Sequence, residues 1–307
     1  LICIELPVEK RAAFADACRQ QLLSNELIDT RALLTTRREG WSASEILAAR
    51  PLNEYVALLQ HGFLLSILRE NRLTTIFHPI VYCDDPANVF ANECLLRAIG
   101  EDGGMLPPSR IFSIARDAQL LFQLDRAARL TALSAAAEYG VSSNIFINFV
   151  PTAIYRPEFC LRTTFAAAKE YGLDPAKIVF EVVESESVTD IHHLRKILNE
   201  YRAQGFRVAL NDLGAGFSSL NMLHELRPDI VKLDMDLVRG IDKDPYKASI
   251  CTTLLKLAND LGIQSVAEGV ETVGEWEVLK QAGATFVQGF LFAKPGAPPP
   301  VPVLPTA

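Results

Sequence analysis

Eight strand-like runs punctuate this chain, and their spacing leaves few folds open. They read "TTIFHPIVYC" (74–83), "ANECLLRA" (91–98), "NIFINFV" (144–150), "KIVFEVVE" (177–184), "RVALND" (207–212), "DIVKLD" (229–234), "QSVAEGV" (264–270) and "FVQGFLFA" (286–293). From the third run onward they alternate with helical patterns such as "TDIHHLRKILNEYRAQG" and "YKASICTTLLKLANDLG". These close at Gly205 and Gly262, where a helix C-terminus favours glycine. Strands that alternate with helices form a mostly parallel sheet covered by helices, and eight of them favour closure into a TIM-like (β/α)8 barrel. One long helical stretch, "PPSRIFSIARDAQLLFQLDRAARLTALSAAAEYG", links the second and third runs, and Pro107-Pro108 suits its start.

Composition agrees with a packed domain. At 307 residues and 49% hydrophobic content, the chain can bury one barrel-sized core plus an appendage. We expect a helical N-terminal extension or linker over 1–69, the barrel over 70–296 and a proline-rich tail, extended or disordered, over 297–307. The net charge of −7 and the lack of a dense basic cluster beyond "TTRR" (35–38) argue against DNA binding. Six cysteines without C-x-x-C spacing read as reduced, buried thiols of a cytoplasmic protein. No apolar run reaches the ~18 residues of a membrane span. The chain begins at Leu1, so a fragment is expected, and an upstream sensor or membrane anchor would lie outside it.

Each of seven runs carries one polar residue in an apolar setting: Glu93, Asn148, Glu181, Asp212, Lys232, Glu268 and Gln288. Barrel interiors are filled by branched apolar side chains, and the C-terminal rim of the strands carries the chemistry, so recurring polar groups near strand ends point to one mouth. Four carboxylates crowded there repel one another, and Lys232 alone cannot balance them. Carboxylate and amide oxygens without a convergent His or Cys set suit Mg²⁺ or Mn²⁺. A two-metal hydrolytic site is the natural inference, since paired cations activate a water and stabilise the leaving oxygen of a phosphodiester.

The motifs are similar to those of the EAL family, the bacterial phosphodiesterases that open the second messenger cyclic di-GMP. "ECLLR" (Glu93 to Arg97) resembles the Glu-Ala-Leu-Leu-Arg signature, "INFVP" the INLSP-like strand, "EVVES" the ELTES-like segment and "NDLGAGFSSL" the DDFGTGYSSL loop. "VKLD", "VAEGVET" and "VQGFLFAKP" match further segments. The resemblance covers about 70–295 and implies a barrel with one antiparallel strand. It also implies that Glu93, Asn148, Glu181, Asn211, Asp212 and Glu268 hold two metals. Lys232, Glu268, Asp212 and Gln288 would do the chemistry around the attacking water. Arg97 would grip a substrate phosphate, His78 would stand near a guanine base, and Asp234, counted with the substrate-binding residues, shares a strand face with Lys232 and would tune it. Glu184 and Glu271 would brace the loop containing Gly214 and Gly216. A homodimer through the loop and helix after Asp212 is expected, with Leu220, Met222 and Leu223 presented.

One departure bears on activity. Asn211-Asp212 stands where the family has Asp-Asp, and the first of that pair is expected to bridge both metals. An amide offers one neutral oxygen, so the second metal should bind weakly and hydrolysis should slow. Cys94 replaces the signature Ala and reads as an inert buried thiol. Three functions follow in order: an active hydrolase yielding linear pGpG, a degenerate cyclic di-GMP receptor, and a protein-interaction module. No Gly-Gly-Asp-Glu-Phe motif of a messenger-making cyclase is present.

Overall fold

The computed structural model describes residues 4, 6–7, 10–33, 35, 40, 42–60, 62–182, 190–214 and 219–303. The chain divides into two compact units, Leu1–Leu73 with Ala98–Leu124, and Thr74–Arg97 with Asp125–Ala307. The first is mainly helical, with a short antiparallel pair of Arg31–Ala32 and Arg50–Pro51. Its helices include Arg11–Gln21, Ser24–Asp29, Leu52–Gln60, Gly62–Arg69 and Pro108–Asp117. Ala15, Cys18, Leu27 and Val56 form a buried cluster, with Phe14, Leu22, Leu52 and Leu59 packed against it. These residues recur at three- and four-residue spacing, which places each set on one helix face.

The expected single helix after Pro107 is two. Pro108 occupies the first turn, where its missing N–H costs nothing. The helix stops at Asp117, and Gln119 adopts φ +55°, a left-handed conformation that turns the chain before Leu121–Glu138 begins. A polar side chain there gives no sequence warning of the break.

The second unit is built on eight strands: β1 (Leu73–Tyr82), β2 (Val89–Ile99), β3 (Asn144–Phe149), β4 (Ile178–Val182), β5 (Arg207–Leu213), β6 (Ile230–Leu233), β7 (Gln264–Ala267) and β8 (Phe286–Val287). They run around the sheet as β1-β8-β7-β6-β5-β4-β3-β2, and a β1–β2 pairing closes the barrel. Neighbours from β2 to β8 are parallel. β1 is the antiparallel strand, with Tyr82 opposite Phe286 and Val81 opposite Val287. Helices Ile191–Ala203, Ser219–Leu226, Pro245–Asp260 and Val273–Gln281 follow β4, β5, β6 and β7.

A single apolar layer fills the barrel. Ile80, Phe90, Ala91, Phe146, Val179, Ala209, Ile230, Val266 and Phe286 form one buried cluster to which every strand contributes. Phe90 and Phe286, on the two strands that flank β1, stack with ring centroids 3.7 Å apart.

Two strands end earlier than expected. β7 stops at Ala267 because Gly269 turns into the left-handed region at φ +71°. β8 stops at Val287, and the apolar "GFLFA" that follows forms turns, with Leu291 N–H donating to Val270 O at 3.1 Å. Backbone hydrogen bonds hold the chain at the start of the proline-rich tail and within its described part. Gly296 exchanges two backbone hydrogen bonds with Phe77 on β1, at 2.8 and 2.9 Å, and Val303 N–H donates to Phe292 O at 2.8 Å.

Candidate active site

Side chains alternate between the two faces of a strand, so the residue two positions beyond each core residue returns to the barrel interior one layer higher. Ala91 leads to Glu93, Phe146 to Asn148, Val179 to Glu181, Ala209 to Asn211, Ile230 to Lys232, Val266 to Glu268 and Phe286 to Gln288. On the antiparallel β1 the count runs backwards, from Ile80 to His78. A polar ring, one residue per strand, therefore sits on the apolar layer at the C-terminal ends of the parallel strands. Glu268 and Gln288 stand one residue past β7 and β8 rather than inside them. Their backbones stay in register, with Glu268 N–H on Leu233 O at 3.2 Å and Gln288 N–H on Ala267 O at 2.9 Å.

Contacts bind the ring together. Lys232, wholly buried, places Nζ 2.6 Å from Glu181 Oε1 and 3.5 Å from Glu93 Oε2, and it also pairs with Glu268 Oε1. Asn148 Nδ2 donates to Glu93 Oε1 at 3.1 Å, and Gln288 Nε2 donates to Glu93 Oε2 at 2.9 Å. Gln288 also reaches His78 O at 3.4 Å. Among the described residues of the ring, apart from Glu181 Oε1 and Lys232 Nζ, which pair with each other as ions, Glu181 Oε2 and Asn211 Oδ1 are buried without a hydrogen-bond partner. Buried polar atoms are nearly always paired, so these two oxygens are the ones a bound group should satisfy.

The charges respond to this setting. Burial drives the Glu181 carboxyl up to about 8; Glu93 and Glu268 add to that, and Lys232 opposes it. Burial would lower Lys232, but Glu181, Glu268 and Glu93 together hold it well above the ordinary lysine range. Glu93 is raised by burial yet ends below the usual range, because Lys232, Gln288 and Asn148 favour its anion. Burial lowers His78, whose Nε2 lies 3.2 Å from Ala293 O.

Six expected site residues are thus joined by direct contacts: Glu93, Asn148, Glu181, Lys232, Glu268 and Gln288. Counted from Ala209, the strand phase places Asn211 in the ring. A register shift between Leu210 and Leu213 is the kind of irregularity that re-aims side chains beside a site. The Asp212 side chain, Glu184 and Gly216 lie outside what the structure describes. Asp234 is not brought to Lys232: its Oδ1 caps the short helix Met235–Val238 by accepting from Asp236 N–H at 2.8 Å. Glu271 pairs with Arg239 at 2.6 Å. Arg97 is half-buried on the ring side of β2, and its Nη1 donates to Leu96 O at 2.7 Å. Met222 and Leu223 are buried within the unit, so of the three apolar residues expected to be presented only Leu220 is exposed. A groove of about 830 Å³ lined by Arg207, Leu223, Leu257 and Ile263 contains no ring residue and sits at the opposite strand ends.

One cluster escaped the sequence reading. Asp125 and Arg129, both buried, form an ion pair in which Nε and Nη2 reach Oδ2 at 3.0 and 2.9 Å. Arg129 Nη1 also donates to Thr164 Oγ1. Asp125 Oδ1 accepts Val150 N–H at 2.9 Å, at the exit of the strand that carries Asn148. The only sequence signal was an acid and a base four residues apart inside an apolar helix.

A family model described as the EAL domain matches residues 60–295, most of the chain. The chain belongs to the EAL domain family. Among its relatives is an Escherichia coli K12 protein named probable cyclic di-GMP phosphodiesterase PdeG, 32% identical over 212 residues, or 66% of this chain and 41% of PdeG. The chain spans between about a third and just under half of the length of the curated relatives it matches. Among solved structures, the c-di-GMP-bound form of a standalone EAL protein from Vibrio cholerae O395 aligns at 39% identity with TM-score 0.68, covering 75% of this chain and 95% of that one. A manganese and c-di-GMP complex of BlrP1 from Klebsiella pneumoniae aligns at 29% identity with TM-score 0.65, covering 82% and 70%. EAL phosphodiesterases are in general dependent on divalent metals.

The residues of this EAL domain fit such a metal. The donors are carboxylate and amide oxygens, which suit a hard cation, and two of them are buried and unpaired. As they stand, no three His, Cys, Asp or Glu side chains among the described residues are spaced to hold an ion. The three carboxylates converge on Lys232 instead.

Proposed function

We propose that this chain hydrolyses one phosphodiester bond of cyclic di-GMP to give linear pGpG, using Mg²⁺ or Mn²⁺. The observation that carries the reading is the convergence of Glu93, Glu181 and Glu268 on Lys232, on top of an EAL barrel. Glu93, Asn148, Glu181, Asn211, Asp212 and Glu268 would hold the metals, which supply charge neutralisation and an acidified water. Asn148 contributes its carbonyl oxygen, because its amide nitrogen is already committed to Glu93. Gln288 keeps Glu93 oriented by donating to its other oxygen. Lys232 orients the water and balances charge as the phosphorane-like transition state forms, and Arg97 grips the substrate phosphate. His78 faces a guanine base from β1. Glu184 and Glu271 brace the loop after β5.

The barrel over 70–296 is the catalytic domain in this reading. Residues 1–69 form a helical extension, and 297–307 a tail. The protein works in the bacterial cytoplasm on a nucleotide messenger rather than on DNA, as a homodimer formed through the loop and helix after Asp212.

A second reading, a cyclic di-GMP receptor with little turnover, is favoured by Asn211, a neutral ring residue where the family motif carries an acid. One assay separates the two. Purified protein is incubated with cyclic di-GMP over a Mg²⁺ and Mn²⁺ series, with Asn211→Asp in parallel, and pGpG is quantified. The hydrolase reading expects metal-dependent pGpG from the wild type and about tenfold or more from Asn211→Asp at low metal. Nucleotide binding without pGpG in either protein refutes it.

A further inference from the structure

We propose that Lys232 is the resident cation of the metal-free site, and that a divalent metal enters only by displacing its ammonium group from Glu181 and Glu268. The inference deepens the metal-dependent reading above and rests on it.

Geometry carries the argument. Lys232 and Glu181 are wholly shielded from solvent, whereas 10% of the Glu93 side chain and 19% of the Glu268 side chain are accessible. The ammonium therefore lies at the closed inner end of the cluster, and the cluster opens on the Glu268 side. Beneath Nζ is the Phe146 ring, its centroid 6.0 Å away, which belongs to the apolar layer and offers no hydrogen-bond acceptor comparable to a carboxylate. Nζ touches three carboxylates at once, those of Glu181, Glu268 and Glu93. Lys232 thus acts on them as a point charge, as a small cation would. With all three carboxylates ionised, as metal ligation requires, one ammonium leaves two negative charges within the cluster, the charge of one divalent ion. That ion must bind oxygens that Lys232 already holds, and two cations cannot share them at contact distance in a buried site without strong repulsion. Either Nζ withdraws from Glu181 and Glu268 toward the open side of the cluster, or the metal stays out. Lys232 thereby keeps the empty ring folded and sets the metal concentration at which the ring fills.

Mn²⁺ binding to the purified full chain, followed by isothermal titration calorimetry and by the loss of free-ion electron paramagnetic resonance signal, tests this without any turnover. Lys232→Met keeps length and volume and removes the charge; Lys232→Gln keeps a polar tip. Both should bind the first Mn²⁺ about tenfold or more tightly than wild type. Their melting temperatures should be lower than wild type without metal and should rise further than wild type when Mn²⁺ is added. Equal or weaker Mn²⁺ binding by both variants overturns the inference. A wild type that binds no Mn²⁺ at millimolar concentration defeats the metal-dependent reading itself. Where a variant is unfolded alone, refolding on adding Mn²⁺ supports the inference, and failure of both to refold in saturating Mn²⁺ overturns it.

Discussion

Asp125→Ala is expected to destabilise the protein by about 3–5 kcal/mol, the cost of stripping a partner from a buried ion pair. The structure shows where that energy comes from. The substitution removes three hydrogen bonds, from Arg129 Nε, Arg129 Nη2 and Val150 N–H, at 3.0, 2.9 and 2.9 Å. It leaves a guanidinium with no solvent exposure held by Thr164 Oγ1, and a backbone donor at the end of β3 without its acceptor. Most of the penalty is the stranded charge, so removing that charge as well should recover much of it. Asp125→Ala/Arg129→Met is therefore expected to be more stable than Asp125→Ala by about 2 kcal/mol or more, and the two changes should be strongly non-additive. Urea denaturation of wild type, both single variants and the double variant, followed by tryptophan fluorescence, measures this. A loss below about 1 kcal/mol for Asp125→Ala, or a double variant no more stable than that single one, refutes the reasoning.

Two further predictions concern the chain around the ring. Gly289→Ala should cost about 1–3 kcal/mol or more and lower metal affinity, read by thermal melting and Mn²⁺ titration. Its new Cβ would press on the Val270 backbone, 2.7 Å from Val270 C, directly after Gln288. Glu275→Gln should cost about 1–3 kcal/mol at neutral pH and progressively less in acid, read by denaturation across pH. Burial raises the Glu275 carboxyl, but hydrogen bonds from Gly240, Glu271 and Thr272 N–H bring it below its usual range. A depressed folded-state value means that the stabilisation is present above the ordinary glutamate range and lost as pH falls through the folded-state value.

The barrel was legible because each strand writes its phase into the sequence: an apolar residue every second position, interrupted by one polar residue that has no place in a core. Lys232 in "DIVKLD" and Glu181 in "KIVFEVVE" are such interruptions, and the structure brings them to 2.6 Å. Element ends were less legible. Hydropathy reports burial and not hydrogen bonding, so the apolar "QGFLFA" read as strand, although the ladder ends at Val287 and the segment packs as turns. Asn211 could not be assigned to the ring from spacing alone, because two adjacent polar residues at a strand end carry no phase of their own. Ala209 supplies it, and only the assembled apolar layer identifies Ala209 as a core residue. Arg129 was missed for the opposite reason. An arginine on a helix ordinarily faces water, and nothing local announces that Asp125, Thr164 and the end of β3 enclose it.

The two-residue offset between apolar layer and polar ring links the stability of this EAL domain to its chemistry. Gathering three carboxylates and a lysine away from water is unfavourable on its own, and their mutual attraction repays that cost only in part. The layer below, with Phe90, Phe146 and Phe286 buried in one cluster, supplies the compensating burial, and strand alternation then forces the next residue on every strand into the mouth. Ring membership is consequently set by closure of the barrel rather than by loop conformation. Substituting Asn211 changes the charge of a position whose location is already fixed. A carboxylate there would add a fourth negative group to a ring in which one lysine already serves three, and two divalent ions rather than one would be needed to relieve it. Asn211 is therefore the ring position at which a change of residue would most directly alter how many metals the ring could hold.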